Sequence, residues 1–268
     1  MDIDHLTHTC KTALQMSRQL LSSLSDGGRS EVHDEHVVDI STQGDRAVSA
    51  ALAELFAREK IPAVLLSEES GRTELSGSLE YTIAFDDIDG TDNYYRGRGL
   101  LPHCTVITIF NSPEPIFADA LVAGVIEHNS GQLWHAVRDG GCFLDGTAVT
   151  ASGRTSLDRR TLLIIDHYIS GGAIDRFAPL YDTAWIKDFG ASALHLAGVG
   201  SGLFDAFLSP AQKSHELGAG YLLVREAEGV LTDWDGASLD DTPFDFDRQT
   251  PILAAATRDL SDALLKKL

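Results

Sequence analysis

The sequence predicts an α/β protein of two unlike halves, an α+β N-terminal half over residues 1–153 and an α/β C-terminal half over residues 154–268. Three observations carry this. Two helical periodicities and short apolar runs occupy the first hundred residues, and β-rich runs follow from about 103 to 145, joined by turn signals such as Asn129-Ser130-Gly131 and Asp139-Gly140-Gly141. A polar stretch, TASGRTSLDRRT at 150–161, breaks that pattern. Beyond it strands and helices alternate, as they do where helices cover a sheet. The 43% apolar content of the 268 residues suffices for a sizeable core.

In chain order, residues 3–25 place apolar side chains at helical spacing (Leu6, Cys10, Leu14, Leu21) and stop at Asp26-Gly27-Gly28, which predicts an opening helix. RSEVHDEHVVDISTQGD is polar and irregular. DRAVSAALAELFAREK returns to helical spacing, and PAVLLSEES reads as a short strand ending on paired acids. EYTIAFDDIDGTDNYYRG, residues 80–97, starts as a buried strand and then sets down Asp86, Asp87, Asp89 and Asp92. In the second half the strands are LLIID, TAWIK, FDAFL, GVLTDW and PILAAAT. The helices lie near 174–181, in ASALHLAGVG, in ELGAGYLLVREAEG and at the C-terminus. The acidic DGASLDDTPFDFDRQTP reads as a solvated connection.

The formal charge of -19 opposes binding to nucleic-acid backbones or anionic lipid, which need basic patches. Aspartates outnumber glutamates about two to one, a balance that suits either a salt-rich cytoplasm or plain solubility. No run approaches the ~18 apolar residues of a membrane span. MDIDHLTHTC has neither the basic segment nor the apolar run of a secretory signal, so a cytoplasmic protein is expected. Cys10, Cys104 and Cys142 are widely spaced and form no CxxC pair; they read as core thiols.

Two carboxylates about 4 Å apart repel by roughly 4 kcal/mol at an effective dielectric near 20, so the acids after residue 85 call for a cation among them. A strand that ends in alternating carboxylates and turns through Gly90 can bind a divalent cation and a phosphate together, the cation on oxygen ligands and the phosphate on exposed amides. An EF-hand is excluded by register, since counting back from Gly90 puts Phe85 at the first ligand position. Asp87-Ile88-Asp89-Gly90-Thr91 also resembles the DxDGT motif of haloacid-dehalogenase-type phosphatases, in which Asp87 would be the covalent nucleophile. That family's motif usually lies near the chain start and is followed by a GDxxxD pair; here no GDxxxD follows.

Ser67-Glu68-Glu69-Ser70, then Asp86-x-Ile88-Asp89-Gly90-Thr91-x-Asn93, then ELGAGYLLVREAEGVLTDWDG resemble, in that order, the inositol monophosphatase family of magnesium-dependent, lithium-sensitive phosphomonoesterases. The resemblance covers nearly the whole chain, with support from DISTQGD, AVRDGGCFLDG and DFGASALHLAGVGSGLFDAF. It implies a layered αβαβα sugar-phosphatase fold with the active site between the halves, a homodimer, and two or three Mg2+ ions. Glu68, Asp86, the carbonyl of Ile88, Asp89 and Glu216 are the implied metal ligands. Thr91, with Glu68 and Asp45, is implied to orient and deprotonate the attacking water. Substrate would meet Asp89, Gly90 and Thr91, the turn Gly190-Ala191-Ser192, and Lys213. Asp45 also reads as a helix cap, Gly190 to Ser192 as an ordinary helix start, and Lys213 as a surface cation.

The departures are specific. His215-Glu216 replaces the family's Trp-Asp, Asp87 replaces a proline, and Ser209 replaces a glutamate that inositol-specific relatives often use. His33-Asp34-Glu35-His36 stands where some relatives carry a lysine; it reads as a polar lid loop rather than a metal site. The implied substrate is a small phosphate monoester, inositol monophosphate or fructose 1,6-bisphosphate foremost, with other sugar, polyol and nucleotide phosphates open. A non-catalytic regulatory protein on the same scaffold is the alternative from a different class.

Overall fold

Strands such as Tyr81–Asp89 and Cys104–Phe110, buried at every position, and the helices packed on them assemble into two stacked sheets and a separate two-stranded pair, with three layers of helix, in a computed structural model that describes residues 1–32, 40–75, 77–166 and 171–268. The histidine-bearing stretch at 33–36 lies outside the described residues. The first half runs α1 (Ile3–Leu24), β1 (Glu31–Val32), β2 (Ser41–Thr42), α2 (Gln43–Arg58), β3 (Ala63–Ser67), β4 (Gly71–Glu74), β5 (Tyr81–Asp89), α3 (Thr91–Gly97), β6 (Cys104–Phe110), β7 (Ala120–Glu127), β8 (Leu133–Val137), β9 (Gly141–Leu144) and β10 (Thr147–Val149). The second runs β11 (Leu162–Ile165), α4 (Gly171–Tyr181), β12 (Trp185–Lys187), α5 (Ser192–Gly200), β13 (Ala206–Lys213), α6 (Ser214–Glu226), β14 (Val230–Asp233), β15 (Gln249–Ala255) and α7 (Arg258–Leu265).

The eight-stranded sheet has the order β10-β9-β8-β7-β6-β5-β3-β4 and is antiparallel except where β3 pairs β5. The five-stranded sheet has the order β12-β11-β13-β15-β14, with β11 parallel to both of its neighbours. Side-chain alternation sorts the core into layers. From the first sheet, Ile83, Phe85, Ile107 and Ile109 pack on α1 and α2 through Leu14, Leu52 and Phe56. Its other face, including Ala84 and Val106, packs with Leu196 of α5 and Leu217 of α6, which meet Ile164 and Phe207 of the second sheet. Leu163, Ile165 and Leu208 point the opposite way, onto Phe177 of α4 and Leu260 of α7. The layering is αβαβα, as the motif resemblance implied. The first sheet ends at Val149 and the second opens at Leu162, yet α5 and α6 fill one core between them.

Several elements differ from the sequence reading: β1, β2 and α3 lie where it names no strand or helix, β4 is an added strand, and β13 is longer. β4, exposed along its length, was not read as a strand; it is a charged edge carrying Arg72 and Glu74, a composition that discourages further pairing. The strand read as FDAFL continues past Ser209-Pro210 to Lys213, because a register shift between Ser209 and Gln212 absorbs the proline, which has no N–H to donate. That extension carries Lys213, His215 and Glu216 to the end of the first sheet.

Glycines let α5 and α6 approach closely. A Cβ on Gly200 would sit 2.9 Å from the Leu223 carbonyl oxygen, and one on Gly220 would sit 2.2 Å from Leu196 Cδ1. Gly200→Ala gains about 1 kcal/mol of helix propensity. It forces a methyl onto main chain that cannot rotate away, and overpacking costs about 1–3 kcal/mol. Gly200→Ala is therefore expected to lower the thermal midpoint; an unchanged or raised midpoint in a melting experiment would refute the tight crossing.

Candidate active site

β5 aims its aspartates with a bulge. Asp86 pairs Val106 and Asp89 pairs Cys104, three steps along β5 against two along β6. In a regular strand residues three apart point to opposite faces; the extra residue turns Asp89 to the side of Asp86. Ligand atoms of Asp86, Asp89 and Glu216 all lie within 4.8 Å of one another, as do those of Glu68, Asp86 and His215. Asp87 instead accepts a hydrogen bond from Ser67 Oγ at 3.2 Å, with Asp45 and Glu69 nearby.

Gly90 closes the strand with φ at +83°, and a Cβ there would sit 3.0 Å from the Gly190 carbonyl oxygen, so only glycine fits. Asn93 Nδ2 reinforces the approach by donating to the carbonyls of Pro102 (2.7 Å) and Phe189 (2.6 Å). The start of α5 is thereby brought onto Asp89, whose carboxylate accepts from the amides of Ser192 (3.2 Å) and Ala193 (2.7 Å). Burial holds the Cys104 thiol protonated, and it donates to Asp89 Oδ2 at 3.4 Å. Thr91 Oγ1 lies 2.8 Å from the Ile88 carbonyl oxygen and 3.2 Å from Asp45 Oδ1. Asp45 is also half of a capping box, its Oδ2 accepting from the Thr42 amide (2.8 Å) and hydroxyl (2.6 Å), so the helix-cap reading of this residue holds.

The junction of β13 and α6 supplies the far wall. Lys213 Nζ donates to Glu68 Oε1 at 3.0 Å. Glu216, in the first turn of α6, accepts from the Ser192 hydroxyl and the Gln212 amide. His215 Nδ1 lies 3.3 Å from the Phe246 carbonyl oxygen. Its Nε2 stands 3.8 Å from Glu68 Oε2 and from Asp86 Oδ2 and 3.9 Å from Glu216 Oε1. A cleft of about 290 Å³ opens beside Glu68, Lys213 and His215.

Burial dominates the electrostatics. It pushes Asp86 well above the usual carboxylate range, with help from Glu68 and Glu216. It raises Asp89 to about 8, with Glu216 adding to the effect, and Glu216 to about 7 against the relief given by Lys213 and Ser192. Burial alone would lower Lys213, but Glu216, Glu68 and Asp86 together outweigh it and raise its pKa. One ammonium cannot balance four gathered carboxylates. Two groups of hard oxygen donors sharing Asp86, with an imidazole at one side, fit divalent cations.

Of the residues singled out in the sequence, Glu68, Asp86, Asp89, Glu216, Ser192 and Lys213 come together. Asp45, Thr91 and the Ile88 carbonyl form an adjoining hydroxyl-centred group. Gly190 and Ala191 lie against Gly90 through backbone and Cβ. Glu69 turns away to Arg46 at 3.7 Å, and Asp92 pairs Arg96 at 3.0 Å on the surface. Asp87 faces Ser67 and is 1% exposed, a poor placement for a nucleophile. Sequence reasoning missed Gln212 and gave His215 no place in the site; the His-Glu pair standing for Trp-Asp was the available signal.

The buried acids set a pH dependence. Their folded pKa values lie above unfolded values near 4, so the folded protein binds more protons, and stability falls as pH rises toward about 8. Buried histidines such as His135 and His195, lowered to about 4 by burial, act oppositely but only below about 6.5. Between pH 6.5 and 8.5 the thermal midpoint of chelator-treated protein should therefore fall, and Mg2+ at pH 8.5 should restore it by binding the folded state. A flat or rising midpoint without metal would contradict this.

The model of the inositol monophosphatase family matches residues 2–268. The chain is 29% identical over 216 residues to a Nus factor SuhB from Pseudomonas aeruginosa, a match spanning 77% of this chain and 76% of the relative. It is 29% identical over 215 residues to a fructose-1,6-bisphosphatase/inositol-1-monophosphatase from Methanothermobacter thermautotrophicus, spanning 77% and 75%. The solved structure of an IMPase/NADP phosphatase complexed with NADP and Ca2+ superposes with a TM-score of 0.84 at 17% identity, covering 100% of this chain and 96% of that one, a likeness of fold. A family match over all but the first residue, on a chain whose acids converge where the family's motifs fall, means that this protein belongs to the inositol monophosphatase family.

Proposed function

We propose that the protein is a divalent-metal-dependent phosphomonoesterase acting on a small sugar, polyol or nucleotide phosphate, with inositol monophosphate or fructose 1,6-bisphosphate foremost. The observation that supports it most is the convergence of Glu68, Asp86, Asp89 and Glu216 next to a threonine hydroxyl that lies beside a buried carboxyl. Glu68, Asp86, the Ile88 carbonyl, Asp89 and Glu216 would hold two or three Mg2+ ions. Such ions supply positive charge for the phosphate oxygens and the leaving oxygen and lower the pKa of water.

The chain's own groups position and move a proton. Asp45, raised to about 7 mainly by burial, can take up a proton near neutral pH. Thr91 Oγ1 lies between it and the Ile88 carbonyl and can pass that proton from a water on the open side of Thr91. The amides of Gly90 and Thr91 and the Lys213 ammonium would orient phosphate, and Gly190, Ala191 and Ser192 would border the alcohol portion. The reacting centre then lies between the halves 1–153 and 154–268, in a chain we place in the cytoplasm as a homodimer. Among the described residues no helix is long and apolar enough to cross a membrane.

The relative named as both a fructose-1,6-bisphosphatase and an inositol-1-monophosphatase supports the substrate class. The relative named as a Nus factor favours a second reading, a regulatory protein on this scaffold. Phosphate release should be assayed over inositol 1-phosphate, fructose 1,6-bisphosphate and 3'-phosphoadenosine 5'-phosphate, with and without Mg2+. Metal-dependent release from at least one is expected; no release from any, with metal binding intact, would favour the regulatory reading.

Two variants sharpen this. Asp89→Asn is expected to abolish turnover while circular dichroism stays native, because an amide cannot supply the charge that offsets a divalent ion; near-normal turnover would remove Asp89 from the ligand set. Asp87→Ala is expected to keep at least about a tenth of the activity, with no covalent adduct on the native protein by intact mass. Complete loss together with a trapped phosphoaspartate would establish the dehalogenase chemistry instead.

A further inference from the structure

We infer that His215 supplies a nitrogen ligand to the divalent ion held by Glu68 and Asp86, so that this part of the site takes Mn2+, Co2+ or Zn2+ in preference to Mg2+. The inference rests on the metal-dependent reading above and narrows it to the kind of ion. Glu216, Asp86 and Asp89 offer oxygen alone, whereas Glu68, Asp86 and His215 offer two oxygens and an imidazole.

The imidazole is held as a ligand would be. His215 lies in the first turn of α6 with 6% of its side chain exposed, and its ring packs on the Phe246 ring with centroids 4.6 Å apart. Nδ1 faces the Phe246 carbonyl oxygen at 3.3 Å. A carbonyl can only accept, so Nδ1 carries a proton, and Nε2 is the nitrogen whose lone pair is available to a metal in the neutral ring. A backbone carbonyl behind the far ring nitrogen is a standard means of fixing the tautomer and direction of a metal-binding histidine.

Nε2 is buried and, among the described residues, has no hydrogen-bond partner. Its neighbours are three carboxylate oxygens, of Glu68 and Asp86 at 3.8 Å and Glu216 at 3.9 Å. Those distances are too long for hydrogen bonds. They suit a shared ion: two atoms each ~2.1 Å from one metal centre lie at most ~4.2 Å apart. Lys213 donates to Glu68 Oε1, which leaves Oε2 as the oxygen facing His215. A packing role would need only an apolar ring; the buried lone pair aimed at carboxylates needs a cation.

The preference follows from the donor. Mg2+ binds oxygen and keeps much of its water, whereas imidazole suits transition ions, whose affinity for such donors rises from Mn2+ through Co2+ and remains high at Zn2+.

The test uses full-length protein stripped by chelator and loaded with one equivalent of Mn2+. Pulsed electron paramagnetic resonance should show a directly coordinated nitrogen, and uniform 15N-histidine labelling should alter that coupling. Calorimetry should give Mn2+ and Zn2+ affinities about tenfold or more above that for Mg2+. His215→Phe, which keeps a ring against Phe246, should abolish the nitrogen coupling and weaken Mn2+ about tenfold, with a much smaller effect on Mg2+. Bound Mn2+ without nitrogen coupling in the native protein, or coupling that survives in His215→Phe, overturns the assignment and leaves the phosphatase reading standing. Absence of any divalent binding overturns both. If His215→Phe does not fold, the labelled native protein still decides, because coupling to histidine nitrogen supports the assignment and its absence overturns it.

Discussion

The architecture is organised around one electrostatic constraint: the buried carboxylates of Asp86, Asp89 and Glu216 are gathered together, with the more exposed Glu68 beside Asp86. Each close pair costs roughly 4 kcal/mol at an effective dielectric near 20. Protonation answers that cost in part, which is why burial and mutual repulsion hold Asp89 near 8 and Glu216 near 7. Lys213 answers another part with one fixed charge. The geometry leaves the rest to cations.

Helix starts converge on the same region. Asp45 lies in the first turn of α2, Thr91 opens α3, Asp89 accepts from the first amides of α5, and Glu216 lies in the first turn of α6. A helix N-terminus favours negative charge by about 0.3–1 kcal/mol at each site. That is smaller than a single close carboxylate repulsion, so the dipoles orient the acids and offer amides without neutralising the cluster. The layering makes the convergence possible: α5 and α6 lie between the sheets, with Gly200 and Gly220 admitting the close crossing.

Asp45 illustrates how one side chain serves fold and site together. Its Oδ2 closes the capping box of α2, and its Oδ1 meets the Thr91 hydroxyl. The same economy holds at Asp89, which caps α5 across the chain while facing Glu216, and at Asn93, which ties the loop before α5 to the loop before β6. Each of these groups thus ties together segments that lie apart in the chain.

By itself the sequence determined the order of the long helices and the core strands and, through its motifs, the αβαβα class. Those properties are local: helical spacing, a strand ending in Asp86-Asp87-Ile88-Asp89-Gly90-Thr91, and a Gly-rich helix in the second half. Only the tertiary structure decided which acids share a side. Alternation alone would pair Asp87 with Asp89, and a bulge against β6 pairs Asp86 with Asp89 instead, because cross-strand register is not written in one strand. The continuation of β13 through Pro210 likewise depends on β15, against which the register shift is made. His215 looked like a departure from a motif. Its buried nitrogen, without a hydrogen-bond partner among the described residues, acquires meaning from Glu68 and Asp86, more than a hundred positions away in the chain and 3.8 Å away in space.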